Sequence, residues 1–213
     1  MMEIVILLFE KVTALDAIGP YEVLSRLPGA RVRFAAKSVG PVRTDNGMLG
    51  LVADVAIADI EHADVLLVPG GWGTRPLLED EEVLSWVRRM HPSTQWTTSV
   101  CTGSLVLGAA GLLEGLEATT HWSALEDLRA YGATPVSRRV VEQGKIVMGA
   151  GVSAGIDMAL TLTARIAGEG LARAIQLGIE YDPDPPFEGG SVDNTPESIV
   201  TMVRAALSSS AAS

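Results

Sequence analysis

The 213 residues include 26 acidic and 16 basic side chains for a formal net charge of −10, with 47% apolar and 20% charged residues. That balance excludes a disordered or fibrous chain, and with no Lys/Arg stripe to replace counterions on phosphates it argues against nucleic-acid binding. Three scattered histidines and one cysteine cannot assemble a tetrahedral structural zinc site, so no metal is expected.

The chain opens with a continuous apolar run, residues 3–9, read as a strand buried on both faces. It lacks a basic leader and is too short to span a bilayer, and a single cysteine forms no intramolecular disulfide; the expectation is a cytoplasmic protein without membrane contact. A helical stretch follows from Ala14 to Leu27, with Leu15, Ile18, Tyr21, Val23 and Leu24 as its apolar face and Glu22 as a charge on that helix. Gly19-Pro20 predicts that this stretch begins as a turn carrying Asp16 and becomes regular only after Pro20. Residues 31–37 read as a second strand. Gly40-Pro41, Asn46-Gly47 and Gly50 then predict a hairpin or meander at the sheet edge.

Residues 64–69 give a buried strand ending in the turn Gly70-Gly71-Trp72-Gly73, which either brings backbone N–H groups close to a ligand or is simply a tight strand-to-helix connection. No Gly-Lys-Ser/Thr follows, so it is not a phosphate loop. A helix is expected over 81–90. Next comes Thr-Gln-Trp-Thr-Thr-Ser-Val-Cys-Thr-Gly-Ser, a strand turning into a helix at Cys101. Gly103 follows the cysteine at two residues and Ser99 precedes it, which matches the logic of a nucleophile elbow without its usual leading glycine. Free cysteines are commonly inert core residues, but a core position has no need of such a junction. A sulfur at a helix N-terminus is expected to favour the thiolate.

Further on, residues 118–122 suggest a short strand running into a helix at 123–131, and residues 140–147 a hairpin about Gln143-Gly144. Helices are expected at 153–167 and 170–180, a surface loop at 182–196, a final helix, and a frayed end at 208–213. Alternating strands and helices imply one α/β domain over 1–213 with a mostly parallel sheet covered on both faces, ligands binding beyond the carboxyl ends of its strands. Asp16, Gly70-Gly71 and Cys101 converge on that edge. Asp16 by itself reads equally as a helix cap.

Leu15-Asp16-x-x-Gly19-Pro20, Pro69-Gly70-Gly71, Ser99-Val100-Cys101-Thr102-Gly103-Ser104 and Ala118-Thr119-Thr120-His121-Trp122 together resemble the ThiJ/PfpI superfamily of class I glutamine-amidotransferase-like proteins. Ala154-Gly155-Ile156-Asp157 and the stretch from Gln176 to Phe187 extend the likeness over nearly the whole chain, and within the superfamily it is similar to the bacterial isonitrile (isocyanide) hydratases. The resemblance implies a flavodoxin-like three-layer sandwich, a homodimer, no cofactor, and a small-molecule isocyanide as substrate. Cys101 would attack the terminal isocyanide carbon, Asp16 would serve as general acid and base, and a formamide would leave. The backbone amides of Gly71 and Thr102 would form an anion-stabilising pocket, with the Thr102 hydroxyl near the sulfur and Trp72, Trp122 and Ile156 lining the substrate site.

Peptidase and glyoxalase-like branches commonly carry histidine directly after the cysteine, where this chain has Thr102. His121 is the remaining candidate base, and it reads better as a capping and packing residue; His62 and His91 are expected to face solvent. The alternatives are a glyoxalase or deglycase acting on carbonyls, a cysteine-based oxidative-stress sensor, and the ligand-sensing domain of a transcription regulator.

Overall fold

A computed structural model describes residues 1–210. The leading apolar run is β1 (Met2–Leu7), and α1 (Ala14–Leu24) follows it after a short loop. Contrary to the expected break, α1 is helical from Ala14 and carries Pro20 inside it. The proline is accommodated because its ring packs on α5 (Ala154–Ala167) at Gly155, where an added Cβ would lie 3.2 Å from the Pro20 ring. Val23 and Leu24 are buried as expected, whereas Leu15 is 41% exposed and is no part of the buried face.

β2 (Ala30–Ala36) pairs in parallel with β1, and β3 (Gly40–Arg43) and β4 (Gly50–Ala53) form the expected hairpin. This hairpin is a separate two-stranded sheet, and the edge of the main sheet is instead β5 (Val55–Ala56). β6 (Val65–Val68) leads through the glycine turn to α2 (Thr74–Leu77) and α3 (Glu81–Met90). The bounds of α3 follow from its chemistry. The Asp80 side chain accepts the Val83 N–H, acids occupy the first turn, and Arg88 and Arg89 the last.

β7 (Trp96–Val100) enters the cysteine turn and α4 (Gly103–Ala109) leaves it. β8 (Glu117–Ala118) is followed by a run at Trp122–Tyr131 that is 3₁₀ rather than the expected α-helix, and β9 (Thr134–Pro135) pairs with β8. β10 (Val140–Gln143) and β11 (Ile146–Gly149) are the expected antiparallel hairpin. After α5 come α6 (Glu169–Gly178) and α7 (Glu197–Ser210). The helix persists through Ser208–Ser210, where fraying was expected; the rest of that stretch, 211–213, lies outside the described residues.

The main sheet runs β10-β11-β7-β6-β1-β2-β5, parallel throughout except for the β10–β11 pair. Right-handed crossovers from β1 to β2 and from β6 to β7 step in opposite directions, so α1, packed against α5, covers one face and α3 with α4 the other. The result is a flavodoxin-like three-layer sandwich. Its topological switch point lies between β1 and β6, and Asp16 and Gly70 sit just beyond the carboxyl ends of those two strands. Of the histidines outside this edge, His62 is exposed beside Asp64, but His91 is half-buried with Nδ1 2.8 Å from Thr97 Oγ1 and does not simply face solvent.

Candidate active site

Cys101 occupies a left-handed backbone conformation, φ +55°, which costs a non-glycine residue about 1–2 kcal/mol and is kept only where its surroundings enforce it. Here the backbone is held at both ends. Cys101 N–H donates to Gly149 O at 3.0 Å, and Cys101 O accepts from Thr120 Oγ1 at 2.8 Å and Ser104 Oγ at 3.2 Å. Two residues on, a side chain at Gly103 would put Cβ 2.0 Å from Val68 O, so the turn into α4 tolerates no larger residue there. The elbow thereby lifts one sulfur to the strand ends, 5% exposed, at the floor of a cavity of about 180 Å³.

Asp16, fully buried in the first turn of α1, lies beside that sulfur. Its Oδ2 accepts Gly70 N–H at 2.9 Å, and Oδ1 is buried without a hydrogen bond of normal geometry. Gly70 makes the closeness possible, since a Cβ there would lie 2.8 Å from both Asp16 Oδ2 and Cys101 Cβ and 2.6 Å from Thr102 N. Burial pushes the Asp16 carboxyl up to about 7, against the Gly70 hydrogen bond and the contact with Cys101, which both lower it. Burial likewise pushes the Cys101 thiol well above its ordinary value, and the Asp16 carboxylate adds to this, while the Thr102 amide and hydroxyl pull the other way. The expected thiolate preference is therefore overridden at rest. A helix of seven residues offers too little to offset removing a sulfur anion from water. What the geometry builds instead is a buried carboxyl, raised to about 7, beside a thiol that burial holds protonated.

Gly71, Trp72 and Thr102 line the cavity with Cys101. The Gly71 N–H donates to Thr102 Oγ1 at 3.0 Å, and the Thr102 amide favours the Cys101 sulfur, so neither amide is an open anion site at rest. Two expected lining residues are elsewhere. Ile156 faces a different groove with Leu15 and Tyr181, because α5 turns it toward α1, and Trp122 is not among the lining residues but stacks under the Arg204 guanidinium at 5.3 Å. His121 caps the 3₁₀ run, Nδ1 accepting from Ser123 N–H at 3.4 Å, and also lines the cavity. Burial and the nearby Arg75 hold its imidazole below the usual range, hence neutral.

The cavity is completed by residues that sequence reasoning missed: Thr13, Asp45, Arg75, Ser123, Val152 and Leu207. Asp45 arrives on the β3–β4 hairpin turn, tied by its N–H to Val12 O at 3.0 Å, and Leu207 arrives on α7. Both contacts are long-range, and no local pattern announces them. Among the described residues no cluster of His, Cys, Asp or Glu is arranged to hold a metal ion.

Comparison with known proteins gives a match of the DJ-1/PfpI family profile to residues 2–165. An isonitrile hydratase from Pseudomonas putida is 46% identical over 95% of this chain and 89% of its own length. An HTH-type transcriptional regulator from Pseudomonas aeruginosa is 33% identical over 74% of this chain but only 47% of its own. Among solved structures, a ThiJ/PfpI family protein from Pseudomonas syringae superposes with a TM-score of 0.94 at 37% identity, covering 99% of this chain and 89% of that one.

Proposed function

The chain belongs to the DJ-1/PfpI family, and from that premise we propose that it acts as an isonitrile hydratase, converting isocyanides to N-substituted formamides. The observation that carries the mechanism is the buried Asp16 carboxyl, raised to about 7, beside the Cys101 sulfur on the floor of the cavity. Once the pair has lost one of its two protons, the other is shared between sulfur and carboxyl, and the tautomer with the proton on Asp16 is the reactive one.

In that state Cys101 sulfur attacks the terminal carbon of R–N≡C while Asp16 delivers its proton to that carbon, giving the thioimidate R–N=CH–S. Asp16, now a carboxylate, takes a proton from an attacking water and passes it to nitrogen as the hydroxyl adds to carbon. The resulting R–NH–CH(OH)–S adduct returns its hydroxyl proton to Asp16 as the C–S bond breaks. R–NH–CHO leaves, and the sulfur anion and protonated carboxyl are restored. Thr102 assists through its amide and hydroxyl, which both favour the sulfur anion. The Gly71 N–H, bonded at rest to the Thr102 hydroxyl, fixes that hydroxyl near the sulfur. Trp72 supplies an apolar wall.

The test follows formamide release from cyclohexyl isocyanide. Wild type is expected to turn over, Cys101→Ala to give none above background, and Asp16→Asn to lose at least about 100-fold, the scale of general acid–base catalysis. Product formation undiminished in Cys101→Ala, or turnover of methylglyoxal without any of isocyanide, would defeat the reading. The reading also holds residues 1–213 to be one unit that works in the cytoplasm as a homodimer. Support comes from the lone cysteine, which can close no disulfide within the chain, and from exposed apolar side chains late in the chain, Leu177 at 80%, Phe187 at 83% and Met202 at 64%.

A further inference from the structure

Arg75 stands in the first turn of α2, directly after the glycine turn, and its guanidinium lies 4.7 Å over the Trp72 ring. Nη1 makes its hydrogen bonds, to Thr74 Oγ1 at 3.3 Å and Gly71 O at 3.5 Å. Among the described residues no carboxylate lies within ion-pair distance of it. Most other arginines of the chain are so engaged, for example Arg139 with Asp157 and Arg165 with Glu142. The guanidinium thus lines the Cys101 cavity with donors to spare, and it is close enough to His121 to disfavour that ring's protonation.

The other charged lining residue, Asp45, is already satisfied. Its Oδ2 accepts from Thr13 Oγ1 at 3.1 Å and its Oδ1 from Asn46 N–H at 2.9 Å. A group entering the cavity therefore meets two charges, the Asp45 carboxylate, whose oxygens already accept hydrogen bonds, and the Arg75 guanidinium, which still has N–H donors to offer. A planar guanidinium fixed by stacking presents paired N–H groups in the geometry that a carboxylate accepts from best.

We infer that Arg75 selects the substrate by its carboxylate, and that the preferred class is small isocyano-carboxylates, in which the isocyano carbon meets Cys101 while the acid end meets Arg75. The inference rests on the hydratase reading given above. For the simplest member, isocyanoacetate plus one water gives N-formylglycine, with no other reactant consumed.

The experiment compares isocyanoacetate with its methyl ester in wild type, Arg75→Gln and Arg75→Lys. Wild type is expected to prefer the acid over the ester in kcat/KM. Arg75→Gln is expected to narrow that preference by about 10- to 100-fold, chiefly through KM for the acid, with Arg75→Lys recovering part of it. Turnover of both compounds with a preference that does not respond to Arg75 overturns the substrate class and leaves the hydratase reading intact. Turnover of neither by wild type overturns the substrate class, and the hydratase reading falls with it only if cyclohexyl isocyanide is not turned over either. A second measurement is independent of catalysis. Calorimetric binding of N-formylglycine is expected in wild type and lost in Arg75→Gln, and equal binding by the two overturns the proposal.

Discussion

Asp16 sets the pH behaviour of the site. With its carboxyl raised to about 7 by burial, the thiol–carboxyl pair releases its first proton near that value. On the proposed mechanism kcat/KM rises with pH, about tenfold per unit well below 7, and levels above it; a profile flat from pH 5 to 8 would contradict this. The same shift acts on stability. A carboxyl whose folded value exceeds its unfolded 3.8 contributes stability below that value, and the contribution is lost as pH rises through about 7. Asp16→Asn keeps an acceptor for Gly70 N–H without the buried charge. Urea denaturation should therefore find the variant gaining on wild type between pH 4 and pH 8, by at most about 4 kcal/mol. At this scale the positions of Cys101 and Thr102 were legible because they stand at the strand-to-helix junction after β7, and that of Asp16 because it stands at the start of the helix that follows β1. Arg75 and Asp45 were not, because an arginine or an aspartate in a turn is ordinarily a solvated charge, and only the folded cavity turns them inward.

Elements with self-contained signals came through best. α3 has cap, dipole-matched charges and periodicity, and its observed bounds, Glu81–Met90, match the expectation. Where tertiary contacts override local preference the reading failed, as with Pro20, seated inside α1 against Gly155, and with the 3₁₀ run at Trp122–Tyr131, capped by His121 and Gly132. The hairpin was foreseen, but not its detachment from the main sheet. Its attachment instead runs through Lys11 N–H to Arg43 O at 2.8 Å and Asp45 N–H to Val12 O, which brings its turn to the site. The β7–α4 junction is the least forgiving element. With a Cβ at position 103 driven against Val68 O, Gly103→Ala is expected to cost about 3 kcal/mol or more in thermal or chemical denaturation and to suppress activity by displacing the sulfur.

For the whole molecule, the buried core ends before the tail. Among the described residues its last member is Ile175, and Leu207 is the only tail side chain lining the cavity. Truncation after Pro196 is therefore expected to lower the melting temperature by only a few degrees while raising KM. If the exposed apolar side chains of α7 help join two copies, sedimentation should find the full chain dimeric and the truncated one shifted toward monomer. A drop in stability large enough to unfold the truncated chain at room temperature would place α7 in the core and contradict this assignment.

The sulfur's burial has one more consequence. Cys101 is the sole cysteine, and its seclusion depends on β1, β6 and β7 all having come into register. Before that happens the thiol has ordinary acidity and is open to alkylating reagents; afterwards, below about pH 7, it is reached only through the cavity and burial holds it protonated, so labelling slows. Pulsed labelling with iodoacetamide during refolding thus reports from a single built-in position the moment at which three distant stretches of chain close around it.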